Sequence, residues 1–205
     1  KKRDYHKSKY ERCKETGYKL ITVFESDNLD KVKSLLLKLM GKTSKIFGRK
    51  TKVISLTSTE AMKFHNEHHL HSGVGGSKHY GLEYDGNILM VASFGKNRFS
   101  KNYEYECSRI TSHSNYTVVG GVSKLIAHFI KNDNPKSIVT FSDLRFGDGD
   151  VYTKCGFERL QNTPPNYWYT KRYTPLLYSR VKFQKHKLKH LLETYDVSKT
   201  EYENM

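Results

Sequence analysis

Cysteine is scarce in this chain: Cys13, Cys107 and Cys155 are its three in 205 residues, far apart and without a CxxC pair. That spacing argues against a zinc ribbon or a disulfide framework and suits a reducing compartment, so a cytoplasmic protein is expected. Long apolar runs are missing too. Leu35-Leu36-Leu37 is flanked by lysines, so no segment spans a bilayer and no membrane partner is expected. There is no secretory signal, no internal repeat and no low-complexity tract. Acidic residues are the remaining shortfall, with 21 Asp and Glu against 36 Lys and Arg, a net charge of +15 with the ten His neutral. A balance this basic favours a polyanionic partner, because Lys and Arg on phosphates release counterions. The bland alternative is a solvated basic surface. The chain starts without Met in a charged helical stretch, so further residues are expected before Lys1.

The apolar periodicity divides the chain. Residues 5–16 read as a polar helix ended by Gly17, 18–24 as a short apolar strand, and Leu29 to Leu39 as a second helix stopped by Gly41. This piece is too small to stand alone. A basic connection follows over 42–56 and becomes a strand near Lys52. Thr57 with Glu60 predicts a capping box for a helix to about His68. Asp85-Gly86 predicts a two-residue hairpin turn between strands at 80–84 and 87–94. Strands are further expected at 103–110, 137–141, 157–160 and 167–171, with helices at 122–131 and 150–154. A basic helix is expected over 177–192. The fold class is therefore α/β of the α+β kind, with a mixed sheet.

Val118-Val119-Gly120-Gly121 ends a strand and feeds a helix, where free backbone N–H groups and the helix dipole suit a phosphate. Gly120, Gly121, Ser123 and Lys124 are the cofactor candidates. The other reading is a tight turn that packs helix on sheet. About thirty residues later Val151-Tyr152-Thr153-Lys154-Cys155-Gly156-Phe157 reads as a short helix stopped by glycine. The pair resembles the two signature segments of GNAT acyltransferases, in element order over about residues 50–172. That resemblance implies a mostly antiparallel sheet with flanking helices, and acetyl-CoA as a cofactor. The glycines here are adjacent and lack the family's preceding basic residue.

Asp143 sits at the carboxyl end of the strand 138–142, where open α/β sheets place ligands. With His69 and Tyr152 it forms a set able to carry protons or bind a divalent metal. Each also has an ordinary reading, as turn residue, surface imidazole and core aromatic. His69 to Gly73, Phe94-Gly95, Ser142-Asp143 and Val151-Tyr152 resemble, in order and spacing, the Mom-type phage enzymes that modify adenine in DNA, although Leu70 replaces the family's tyrosine. The resemblance makes His69, Asp143 and Tyr152 the catalytic set. His65, His68 and His71 cluster around the same loop, in an order unlike HExxH.

Tyr5-His6, Lys9 and Cys13, then Gly17 to Asp27, resemble the closing helix-strand-helix of Vsr-like nucleases in phage homing endonucleases, where a basic connection and a GNAT-like domain follow. That implies four parts: 1–41 the nuclease-like closing segment, 42–56 the connection and first strand, 57–173 the GNAT-like domain, and 174–205 a basic helix and tail. It also implies binding of double-stranded DNA. The metal-binding acids of such nucleases lie upstream, so efficient cleavage by this chain is not expected. The phosphate or base contacts are expected from Lys7, Lys9, Arg12, Arg49, Lys50, Arg98, Arg109, Arg145, Arg180, Lys182, Lys185 and Lys187. A Mom-like or acyl-CoA-dependent DNA-modifying transferase and a non-catalytic assembly subunit, held by a nuclease portion or another protein, are the alternatives.

Overall fold

A computed structural model describes residues 4–97, 101–164, 167–171, 173–174 and 176–205. Contacts group the chain into two units: residues 21–23 with 27–160, and residues 1–20 and 24–26 with 161–205. These boundaries differ from the expected divisions at 41, 56 and 173. The segment 27–39 belongs with the large unit, because its side chains bond to that unit's loops.

The large unit is built on a five-stranded sheet. Strands β2 (Lys52–Ser55), β3 (Lys78–Tyr84), β4 (Asn87–Lys96) and β5 (Tyr105–Ser112) pair antiparallel in that order, and β7 (Ile138–Thr140) adds parallel to β5. A second, two-stranded parallel sheet joins β1 (Ser44–Phe47), absent from the sequence reading, to β6 (Tyr116–Val119). Helix α2 is Leu29–Leu39, α3 Ser58–His68, α4 Gly121–Asp133 and α5 Asp150–Thr153. The result is a mixed α+β fold with a mostly antiparallel sheet flanked by helices, as a GNAT-like architecture requires.

Alternation along β4 explains the layering. Met90, Ala92 and Phe94 face Leu125 and Phe129 of α4, with Phe94 and Phe129 stacked at 3.9 Å. Val91 instead packs with Ala61 and Phe64 of α3. Successive strand side chains point to opposite faces, so β4 is covered on both. The local signals hold: Thr57 and Glu60 close the capping box, and Asp85 and Gly86 both take positive φ in the hairpin turn.

A bulge between Ser93 and Phe94 lets Ser108 slip out of register, and the β5–β7 ladder ends at Cys107 and Thr140. Past that point β5 continues to Ser112 without β7 beside it. The chain leaving β7 carries Asp143 and Arg145 into this opening, a strand carboxyl end.

The smaller unit contains α1 (Tyr5–Glu15), a hairpin of β8 (Trp168–Thr170) with β9 (Leu177–Ser179), α6 (Lys185–Leu188) and α7 (Glu201–Asn204). Glu201 collects hydrogen bonds from Tyr167 and Tyr169, both 3.0 Å, and from Arg180 at 3.1 Å. The expected helix over 177–192 does not form. Its first residues pair with β8 instead, a 3-10 turn takes Arg180–Phe183, and a four-residue helix follows. No strand forms over 18–24 or 157–160: both runs have strand-like composition but no neighbouring ladder.

Candidate active site

The loop between α3 and β3 brings His69 and His71 to the opening beyond β7. His69 terminates α3, and its Nδ1 accepts the backbone N–H of His71 at 3.1 Å. The ring is therefore the Nε2–H tautomer. Burial first, then the charge of Arg109, push its pKa down to about 3, so it stays neutral. His69 can donate a hydrogen bond there but cannot act as a base near neutral pH.

Asp143 meets His71 rather than His69. Its Oδ2 lies 2.8 Å from His71 Nε2, and Arg145 donates its backbone N–H to Oδ1 and its Nε–H to Oδ2, both at 3.0 Å. Burial alone would raise the carboxyl, but the bonds from His71 and Arg145 outweigh it and hold it at about 2. An ionised carboxylate can only accept, so His71 Nε2 carries the proton. The 3.2 Å approach of Arg145 Nη2 to the same nitrogen is then a contact without a hydrogen bond. Nδ1 of His71 makes no hydrogen bond among the described residues and keeps its lone pair. With 41% of the side chain exposed, His71 presents its ring to solvent.

Arg145 is itself held, because Nη1 donates to Asp27 at 2.9 Å and both side chains are largely buried, 16% and 10% exposed. Asp27 precedes α2, whose Lys31 ammonium bonds the carbonyls of Asn66 and His69 at 2.5 and 2.9 Å. Those are free carbonyls at the end of α3. The start of α2 thus fixes both halves of the His71–Asp143 pair.

Tyr152 lies on α5 near Thr140, whose hydroxyl donates to the Cys107 carbonyl at 3.0 Å. Burial pushes the tyrosine's pKa up to about 12, so the phenol stays protonated. Arg109 is the residue whose charge acts on both His69 and Tyr152, and it stands opposite Ser93 where β5 bulges.

The glycine turn is occupied by protein. Gly120 takes φ +75° at the cap of α4, and a Cβ on Gly121 would lie 2.9 Å from both Met90 Sδ and Val118 Cγ1. Lys124 Nζ donates to the carbonyls of Gly48 and Thr51, and Ser123 Oγ lies 3.2 Å from Cys155 Sγ. The side chains expected to cradle a CoA pyrophosphate therefore do not fit that task, although backbone N–H groups remain at the helix start. Metal ligation fares no better. Asp143 already accepts three hydrogen bonds from Arg145 and His71, and among the described residues no three His, Cys, Asp or Glu converge on a metal position.

The expected nucleic-acid contacts divide in the same way. Arg145 is committed to Asp27 and Asp143. Arg180 is paired with Glu201 and lies 5.1 Å over the Tyr167 ring, Lys187 bonds the Val181 carbonyl, and Lys7 approaches Glu11 at 3.8 Å. Lys9, Arg12, Arg49, Lys50, Lys182 and Lys185 carry no such ion pair among the described residues. Arg98 lies outside the described residues.

No protein-family profile and no curated protein matches the chain. Among solved structures, an aminoglycoside N-acetyltransferase, AAC(6')-Iy in complex with CoA, superposes with a TM-score of 0.40 at 13% identity, covering 60% of this chain and 95% of that one. A likeness this distant carries no argument about activity.

Proposed function

We propose that the protein is a DNA-modifying transferase of GNAT-like architecture, in which His71, oriented by Asp143, takes the proton that a base amine loses as it attacks an activated group. The supporting observation is the 2.8 Å His71–Asp143 bond at the strand end, with Nδ1 of the same ring making no hydrogen bond among the described residues. This is the arrangement by which a carboxylate fixes an imidazole tautomer and stabilises its protonated form. His69 supplies a neutral N–H donor and Arg109 a cationic one beside it. Acetyl-CoA is the donor that the GNAT resemblance implies, and because the Ser123 and Lys124 side chains are engaged elsewhere no step is assigned to it.

The test is direct. The full chain is incubated with duplex DNA and acyl-CoA or other small donors, and the nucleosides are analysed by mass spectrometry. A mass-shifted nucleoside that drops at least ~100-fold with His71→Gln or Asp143→Asn is expected.

A second reading, DNA binding without chemistry, is favoured by one observation: the Ser123 and Lys124 side chains both spend their polar atoms inside the protein. Duplex binding with unshifted nucleosides under every donor would select it.

A further inference from the structure

Between Lys31 and Thr59 the chain carries eight Lys and Arg and no Asp or Glu. The fold sorts these cations by direction. Lys31 and Lys38 turn inward, where Lys31 holds the end of α3 and Lys38 donates to the Ser112 carbonyl at 3.0 Å. They seat α2 on the large unit. The other six, Lys33, Lys42, Lys45, Arg49, Lys50 and Lys52, are exposed. None of the six forms an ion pair among the described residues, in contrast to Arg145 and Arg180.

These six run along α2, β1, the 3-10 turn Gly48–Lys50 and the start of β2. Next to them lies a groove of about 640 Å³ between α2 and the 114–115 turn. Its lining includes Ser44 and Asn115, donors of the kind that bond phosphate oxygens, whereas the Ser34, Thr43 and Ser114 hydroxyls there are bonded to the Ser114 carbonyl, Thr117 and His68. Asp30 and Glu67 also border it, next to α2's own lysines. Phe47 is 45% exposed with the Arg49 guanidinium 5.2 Å from its ring centroid, leaving a flat apolar face beside the cations.

We infer that this α2–β1–β2 face is a docking surface for the sugar-phosphate backbone of duplex DNA. It goes beyond the site reading in locating the partner's track, and rests on that reading for the choice of DNA as ligand. Charge complementarity carries the inference: exposed cations at intervals along consecutive elements, without ion pairs among the described residues and accompanied by the Ser44 hydroxyl and Asn115 amide, suit a regularly charged polyanion. Phosphate binding here is independent of base sequence and positions the duplex, while the His71–Asp143 pair acts at the base. The face lies in the middle of the chain, not at the basic ends where composition first draws attention.

The test compares two triple variants of the full chain, Lys42→Gln/Lys45→Gln/Lys52→Gln and Lys9→Gln/Lys182→Gln/Lys185→Gln, each of which removes three positive charges. Fluorescence anisotropy with a labelled 20-bp duplex is recorded as NaCl rises. The first triple is expected to weaken binding at least tenfold and to flatten the slope of log K against log salt by about 3, from ~0.9 per lost phosphate contact. The second is expected to stay within threefold of the parent. Equal losses in both, or no loss in the first, would overturn the assignment. So would vesicles containing phosphatidylserine, or poly-glutamate, that bind as tightly as the duplex and respond identically to the first triple. Failure of the site reading shows separately, as unmodified nucleosides with duplex binding intact.

Discussion

His69 and His71 are two residues apart and have opposite capacities. His69 is locked as a neutral donor with its pKa near 3, while His71 gives Nε2 to Asp143 and its Nδ1 bonds nothing among the described residues. His69→Gln, which keeps an N–H donor, should therefore retain activity within about tenfold, whereas His71→Gln should cost ~100-fold or more in turnover, as measured by nucleoside mass spectrometry. Asp143 was legible in the sequence because it follows an apolar strand. The contact of His71 with that carboxylate was not, since it is set by the turn in which Ser72 takes φ 57°. Asp27 was also out of reach: it lies 118 residues from Arg145, a pairing that no local pattern encodes.

Among the elements, α4 shows what the glycines do. Gly121 is buried against Met90, Val118 and Leu82, and Gly48 approaches the Val119–Gly120 backbone so closely that a Cβ would sit 3.1 Å from the Val119 oxygen. Gly121→Ala should overpack this junction and destabilise the protein by about 1–3 kcal/mol, visible as a lower urea midpoint with an unchanged m value. The strand-turn-helix itself was legible from Val118 to Leu125, because hydrophobic period and glycine coincide. The stretch 177–192 was not: its lysines fit a solvated face of either period, and the partner that makes 177–179 a strand is a ladder at 168–170.

At the scale of the whole molecule, acid should be the protein's weakness. Burial is the largest cause lowering the pKa of five histidines, His65, His68, His69, His79 and His113, the first three to about 4, 4 and 3. Each binds its proton less readily when folded than when unfolded, where the ordinary value is ~6.5. Their contribution is fully present above about pH 6.5 and is lost as pH falls toward 4. Asp143, held near 2, adds a contribution that persists until pH drops below its ordinary carboxyl value. Thermal melts followed by circular dichroism should show Tm falling steeply from pH 6.5 to 4.5. His65→Gln should flatten that fall, since His65 sits fully buried between Thr111 and Ser93 at 2.6 and 2.7 Å.

The anchoring of α2 has a practical consequence for anyone trimming this chain. A fragment starting at Lys42, where composition invites a cut, would retain every strand of the main sheet yet forfeit the carboxylate that steadies Arg145 and the ammonium that closes α3. Such a fragment should fold with a slack histidine loop, giving faster amide hydrogen exchange at residues 69–73 than in a fragment that begins before Asp27. Residues 27–39 thus brace the histidine loop and Arg145 from outside the main sheet.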